Sequence, residues 1–566
     1  MSLLLVETGE TEAMTSPPIT EADTPPAPSL QTAEFRVPAA LSKWTPRRVG
    51  ETPTRPAYAL VPLPPTDEEM VSYRKRRMPA LVLPSLVSFG CLIASQLLFV
   101  RLDPLLWLLA PLLLFTVAYY VISLCVNLFT PGFDMARHRE LVRSWKPSRY
   151  PTVDVFLPVC GEPPHVLRNT WEHVRAMGGY YRGDVTVYVL DDSPNEAMER
   201  TALAFGFVYQ RRPNRGWFKK AGNMRYAFER TMSDFILVLD ADFVPRRDML
   251  DQMLPWFDAE PQAGIVQSPQ YFRVHRGQTW VERGAGAVQE LFYRSVQVSR
   301  QAHDSAICVG SCAMYRRDAL FSIGGSTLIE HSEDVHTGFD LRMKGWKLRY
   351  IPVVLAAGLC PSDVDSFFTQ QYRWCAGSMS LLASKKFWST KLRWRARLSY
   401  ISGFCYYLHT GLFTFVAPIV PVLMLTAFAH EIALANYLLI LPSVIYNMVI
   451  FPFWHRTRYG LESWTVKMIY GWAHAFAIID ILRGRRMGWQ PTGGTAKKSK
   501  TKRLWTGMRV WTAGSGVVWA GLAAWRMFVE PDPLIFAPAF LSAVFYLAIV
   551  GQALVVKPEK DVEVVR

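Results

Sequence analysis

Two pairs of carboxylates sit where an apolar chain has little structural use for them. Asp191 and Asp192 follow directly on the apolar run 185–190, and Asp240 and Asp242 close the run 235–239. Oxygen ligands of this kind suit a hard divalent cation, which keeps some water and is completed by phosphate oxygens. Lys219 and Lys220 stand ahead of the second pair, and an ammonium is a point charge for phosphate. Farther on come Ser332, Glu333 and Asp334, then Gln370, Gln371, Tyr372, Arg373 and Trp374 on a stretch that reads as helix. The Arg373 guanidinium is a planar fork for the same phosphate chemistry.

Elements that must position these groups are legible between residues 131 and 395. Runs 153–157, 185–190, 235–239 and 264–268 read as strands, and 164–177 and 219–232 as helices. Strands alternating with helices imply a mainly parallel sheet covered on both faces. Ligands of such sheets bind beyond the carboxyl ends of the strands, where both carboxylate pairs fall.

The rest of the chain reads as membrane. Half of its 566 residues are apolar, yet 62 Lys and Arg give a net charge of +15. Arg74–Arg77, Lys385–Arg397 and Arg483–Arg503 hold 18 of those cations, each group ahead of an apolar segment. Cytoplasmic flanks of membrane spans carry that bias, and no nucleic-acid motif accompanies the charge, so nucleic acid is excluded as a partner. Six spans are expected: 79–100, 103–128, 399–425, 431–453, 507–528 and 533–555. Their order gives two helices in 79–128, a cytosolic domain with interfacial helices in 131–395, two helices in 399–453 and two more in 507–555. Between them, 454–503 is read as an amphipathic helix (464–482) followed by a basic cytosolic loop. Residues 1–70 contain 12 of the 39 prolines and are read as a disordered cytoplasmic tail; 556–566 form a short cytosolic one. Both termini and the catalytic domain are placed on the cytoplasmic side of the plasma membrane. His409, with Tyr406 and Tyr407, lies inside an expected span, which suggests a polar path. The eight cysteines match no zinc spacing, and Cys308 and Cys312 are read as buried, reduced thiols.

Taken together, the four motifs resemble the membrane-embedded processive glycosyltransferases of family two: cellulose synthases, with hyaluronan and chitin synthases as relatives. Those enzymes carry, in order, an Asp pair after a strand, D-x-D, T-E-D and Q-x-x-R-W. Here these are Asp191-Asp192, Asp240-Ala241-Asp242, Ser332-Glu333-Asp334 and Gln370–Trp374, with supporting likeness at Pro151–Pro158, Lys220–Asn223 and Gln267–Phe272. Val159–Glu162 replaces the usual T-Y-N-E, and Met487–Gly494 replaces the F-x-V-T-x-K gating loop. The cyclic-dinucleotide-binding barrel that usually follows is not expected, since the chain ends eleven residues after its last expected span.

The resemblance implies an α/β glycosyltransferase domain of the GT-A-like, nucleotide-diphospho-sugar type, inserted into a helical transmembrane bundle. It implies a UDP-sugar donor, most readily UDP-glucose, a growing polysaccharide as acceptor, and surrounding membrane lipid; accessory secretion proteins stay unidentified. Asp242 is the implied ligand of Mg2+ or Mn2+, Asp240 touches metal or ribose, and Asp191 and Asp192 face the nucleotide. Lys219, Lys220, Gln370 and Arg373 complete the donor site. Asp334, beside Glu333, aligns with the base in T-E-D. Trp374 offers an indole face to the terminal sugar. A chitin- or hyaluronan-type synthase using UDP-N-acetylglucosamine, a non-processive lipid-linked transferase, and a transporter with an inactive head remain the alternatives.

Overall fold

The computed structural model describes residues 61–74, 79–127, 130–193, 197–484 and 501–556. Ten strands lie among them: β1 (Val153–Val159), β2 (Val185–Asp191), β3 (Val208–Gln210), β4 (Phe235–Val238), β5 (Val244–Pro245), β6 (Ala263–Gln267), β7 (Gln270–Phe272), β8 (Ala313–Arg316), β9 (Lys347–Tyr350) and β10 (Ala356–Gly358). Seven form one sheet in the order β3-β2-β1-β4-β8-β6-β9, and β5-β10-β7 form a smaller one.

Burial on both faces explains why these strands read as unbroken apolar runs. Along β1, Val153, Val155, Leu157 and Val159 join one core cluster, while Phe156 joins another with Leu190, Ile236 and Val238. The helix Pro164–Tyr180 covers the sheet through Leu167, Trp171, Val174 and Met177, a spacing of three and four that keeps one helical face apolar.

The sheet is mixed rather than mainly parallel in its second half. β8 runs antiparallel to both β4 and β6, whereas β1, β2, β3 and β4 are parallel. That reversal has a consequence for chemistry. Val238, the last residue of β4, pairs with Ala313, the first of β8. The loop before β8 therefore meets the carboxyl ends of β1, β2 and β4 at one edge.

By length and composition, six helical stretches among the described residues could cross a membrane: Ala80–Val100, Pro104–Asn127, Trp394–Thr426, Leu434–Trp454, Leu461–Leu482 and Ala537–Val555. Five coincide with expected spans. Leu461–Leu482, expected to lie in the membrane plane, also qualifies, and half of its most apolar window is buried inside the protein. Its packing against Val364–Ala383 and Trp394–Val416 explains an apolar character that a surface helix would not need. The expected span 507–528 falls within the helix Thr501–Val529, which is not among the six. Small and polar residues such as Thr512, Gly514, Ser515 and Gly516 dilute it.

The tail expected over 1–70 needs a correction at its end. Thr66 caps the short helix Asp67–Met70 through a reciprocal bond with Glu69. Glu69 takes two bonds from Arg273, at 2.7 and 2.6 Å. Tyr73 is buried against Tyr271, and the Val354 N–H donates to the Met70 carbonyl. Residues 61–74 are thus part of the folded body; 1–60 lie outside the described residues. So do the gating-loop position 487–494, most of the basic loop 485–500, and the C-terminal tail 557–566.

Candidate active site

The carboxyl edge of the sheet gathers five of the six sequence-expected acids into one cavity and leaves one out. Asp191 ends β2 with its side chain fully buried, accepting from the Ser193 N–H (2.7 Å) and the Tyr209 hydroxyl (2.8 Å). It shapes the turn and does not line the cavity described below. Asp192 does, but its carboxylate is gripped by the buried Arg212, Nε to Oδ1 at 2.7 Å and Nη2 to Oδ2 at 2.5 Å. Arg212 also donates to the Trp217 and Lys219 carbonyls, so this pair fixes the loop that delivers the lysines.

Lys220 forms an ion pair with Asp240 and donates to the Gly310 carbonyl at 2.7 Å. Burial would lower its ammonium, yet Asp240 and Glu333 hold it above its ordinary value. The Asp240 N–H donates to Ser311 Oγ at 2.9 Å, so the loop before β8 anchors the D-x-D segment. Asp242 is pushed up to about 7, by burial first and then by the neighbouring Asp240 charge. Glu162 is raised for the same first reason, and its Oε2 accepts from the Cys160 N–H at 2.7 Å. Sequence reading passed over Glu162 as part of an altered stretch; a carboxylate three residues past the end of β1, at the same sheet edge, was the available signal.

Asp334 sits in the first turn of the helix Glu333–Met343, with Oδ1 accepting from the Val335 N–H at 2.8 Å. Its carboxyl is pushed up to about 8, by burial and then by Glu333, whose own carboxyl is raised by burial. Gly310, at φ +74°, lies against it: a Cβ there would fall 2.9 Å from Asp334 Oδ2. Only glycine accepts both that backbone and that closeness.

Val364–Ala383 is the helix expected around Gln370. It carries Arg373 and Trp374 to the same cavity, and the buried Gln370 Oε1 has no hydrogen-bond partner among the described residues. Burial draws the Arg373 guanidinium down from its ordinary value, opposed by the charges of Glu333 and Asp240. One turn on, Gly377 abuts Ser332, the left-handed residue (φ 55°) that turns the chain into Glu333 and Asp334. A Cβ at 377 would overlap the Ser332 hydroxyl. Gly377→Ala is therefore expected to cost about 1–3 kcal/mol by overpacking and to displace both motifs. Adding Ser332→Gly, which removes the obstruction and suits the backbone, should recover most of the melting temperature; no recovery would place the fault elsewhere.

Asp192, Lys219, Lys220, Asp240, Asp242, Glu333, Asp334, Gln370, Arg373 and Trp374 line one cavity of about 1370 Å³. The cavity continues between the apolar helices past Ser85, Ser88, Tyr119, Tyr407, His409 and Asn447. There His409 stacks on Phe413 with ring centres 4.2 Å apart and lies 5.0 Å from Tyr119. No three His, Cys, Asp or Glu side chains among the described residues converge as a ready metal cage.

Residues 235–454 match the family model described as glycosyl transferase family group 2. Over that region the chain is similar to cellulose synthases, family-two glycosyltransferases. It is 31% identical over 307 residues to the putative cellulose synthase 2 of Komagataeibacter xylinus, covering 53% of this chain and 20% of that one. The catalytic subunit of cellulose synthase 1 [UDP-forming] from the same organism is 33% identical over 262 residues, covering 45% and 35%. The chain thus spans a fifth to about a third of the length of those relatives. Among solved structures, the mannosyltransferase of Pyrobaculum calidifontis in complex with GDP-Man and Mn2+ aligns over 66% of this chain and 98% of its own, at 16% identity and a TM-score of 0.45.

Proposed function

We propose that this enzyme transfers sugar units from a UDP-sugar, most readily UDP-glucose, onto a growing β-linked polysaccharide and passes the product into the membrane. One observation carries the reading: the cavity holding Asp242, Asp334 and Trp374 continues between apolar helices, where Ser85, Ser88, Tyr119, His409 and Asn447 stand among its apolar lining. A soluble-product transferase has no use for that continuity.

Glu162, Asp240, Asp242, Glu333 and Asp334 crowd a site whose cations are Lys219, Lys220 and Arg373. A donor diphosphate adds negative charge, so the set fits a hard cation: its donors are all oxygen, and Asp242 is raised by burial and then by the neighbouring Asp240. Asp240 and Asp242 would hold Mg2+ or Mn2+, which would supply positive charge to the leaving diphosphate. Lys220 and Arg373 bring fixed charge to the same phosphates, and the Asp192–Arg212 pair holds the loop beneath them. Asp334 takes the proton of the acceptor hydroxyl. The hydroxyl oxygen bonds to the anomeric carbon from the face opposite the diphosphate; the bond to the diphosphate breaks and UDP leaves. A single displacement inverts the centre, so an α-linked donor gives a β-linked product. Trp374 gives the acceptor ring a flat surface.

The basic flanks before the membrane helices support a cytoplasmic catalytic domain and cytoplasmic termini. Purified membranes supplied with UDP-glucose or UDP-N-acetylglucosamine singly test the donor. Sugar incorporation matched mole for mole by UDP release from UDP-glucose supports the proposal. Incorporation from UDP-N-acetylglucosamine alone would make it a chitin-type synthase, and release without incorporation would contradict transfer.

A further inference from the structure

Within the Gln370–Trp374 motif, Tyr372 faces away from the cavity that Arg373 and Trp374 line. Consecutive residues on a helix are about 100° apart, so Tyr372 and Trp374 point to nearly opposite sides of Val364–Ala383. The Tyr372 side chain is buried, and its hydroxyl donates to Asp480 Oδ2 at 2.9 Å. Asp480 belongs to the last turn of Leu461–Leu482. A negative charge is disfavoured there by the helix dipole. Among the described residues Asp480 makes no ion pair, and this phenol is its hydrogen-bond partner. The helix that carries Asp480 is itself fixed to the membrane helix Trp394–Val416. His474 Nδ1 and Thr410 Oγ1 are 2.7 Å apart, and a Cβ on Gly411 would come within 3.0 Å of the Ala475 nitrogen.

We infer that the Tyr372–Asp480 hydrogen bond is a positioning contact for sugar transfer, setting the rotation of the motif helix so that Arg373 and Trp374 meet the donor phosphates and the acceptor at the mouth of the membrane passage. Neither residue touches substrate. This rests on the transferase reading above. Arg373 matters most where charge develops on the leaving diphosphate, so a small rotation lowers turnover far more than donor binding.

Tyr372→Phe, Asp480→Asn and the double variant test it in membranes of the full chain, after wild-type transfer from UDP-sugar has been measured. Phe keeps the ring and its packing. Each single variant is expected to lower kcat about tenfold, as loss of a charge-assisted hydrogen bond allows, with donor KM changed less than about threefold. The double variant should be no worse than either single one, because both remove one contact. Retention of at least half of wild-type turnover, losses that multiply in the double variant, or a donor KM rising in step with the fall in kcat would each overturn the inference. Absence of wild-type transfer overturns the donor reading and this one with it; unaffected variants in an active enzyme overturn this one alone.

Discussion

Asp334→Asn is expected to lower transfer at least about a hundredfold while leaving UDP affinity within about twofold. The amide keeps the shape of the side chain and its bond to the Val335 N–H, and removes only the capacity to take a proton. The wild-type rate should rise with pH. Burial and the neighbouring Glu333 push Asp334 up to about 8, so the rising limb of kcat/KM belongs to this coupled pair of acids. Stability should move the other way. An unfolded aspartate ionises near about 4; between there and about 8 the folded protein keeps a proton that the unfolded chain has released. Over that window the contribution of Asp334 to stability falls as pH rises. The variant is therefore expected to melt about 2–4 °C above wild type near neutral pH, with a smaller gap near about pH 5. Differential scanning of both proteins at the two pH values checks this, and retention of more than about a tenth of the turnover would exclude Asp334 as the base.

Asp242→Ala should remove activity about as completely, by another route. It takes away one of the two carboxylates proposed to hold the metal, so donor affinity is expected to fall together with turnover. Mn2+ binding, read directly by the loss of free-ion paramagnetic signal, should weaken by at least about tenfold; structures that hold metal through few protein ligands depend on each one. Wild-type enzyme should lose transfer in chelator and regain it on addition of Mg2+ or Mn2+. Undiminished transfer in chelator, or unchanged Mn2+ binding in the variant, would contradict a metal role for this pair.

Much of this site was legible because strand ends are legible. An apolar run followed by two carboxylates predicts a sheet edge, and β2 and β4 end there as expected. What the run could not disclose is which carboxylates stay available. Arg212 lies twenty residues beyond Asp192, and only the folded loop shows that the two are paired. Likewise Asp191 is consumed by the turn that follows it. The reversal of β8 was hidden because strand direction is set by pairing, not by the pattern of a four-residue strand. Residues 61–74 were obscured by proline-rich composition, although Thr66 and Glu69 at a spacing of three form a recognisable helix start. The helix Leu461–Leu482 carries enough apolar residues to cross a membrane while half of its apolar window packs against protein, and hydropathy alone does not separate those fates.

Polymer synthesis and export are read together in inside-out vesicles bearing this chain, supplied with labelled UDP-glucose and Mg2+ or Mn2+. A high-molecular-weight product is expected to collect inside the vesicles, to resist added hydrolase until the membrane is opened, and then to be cleaved by β-1,4-glucanase. Label found only as a single sugar on extracted lipid, or a polymer released on the side of the donor, would contradict that expectation.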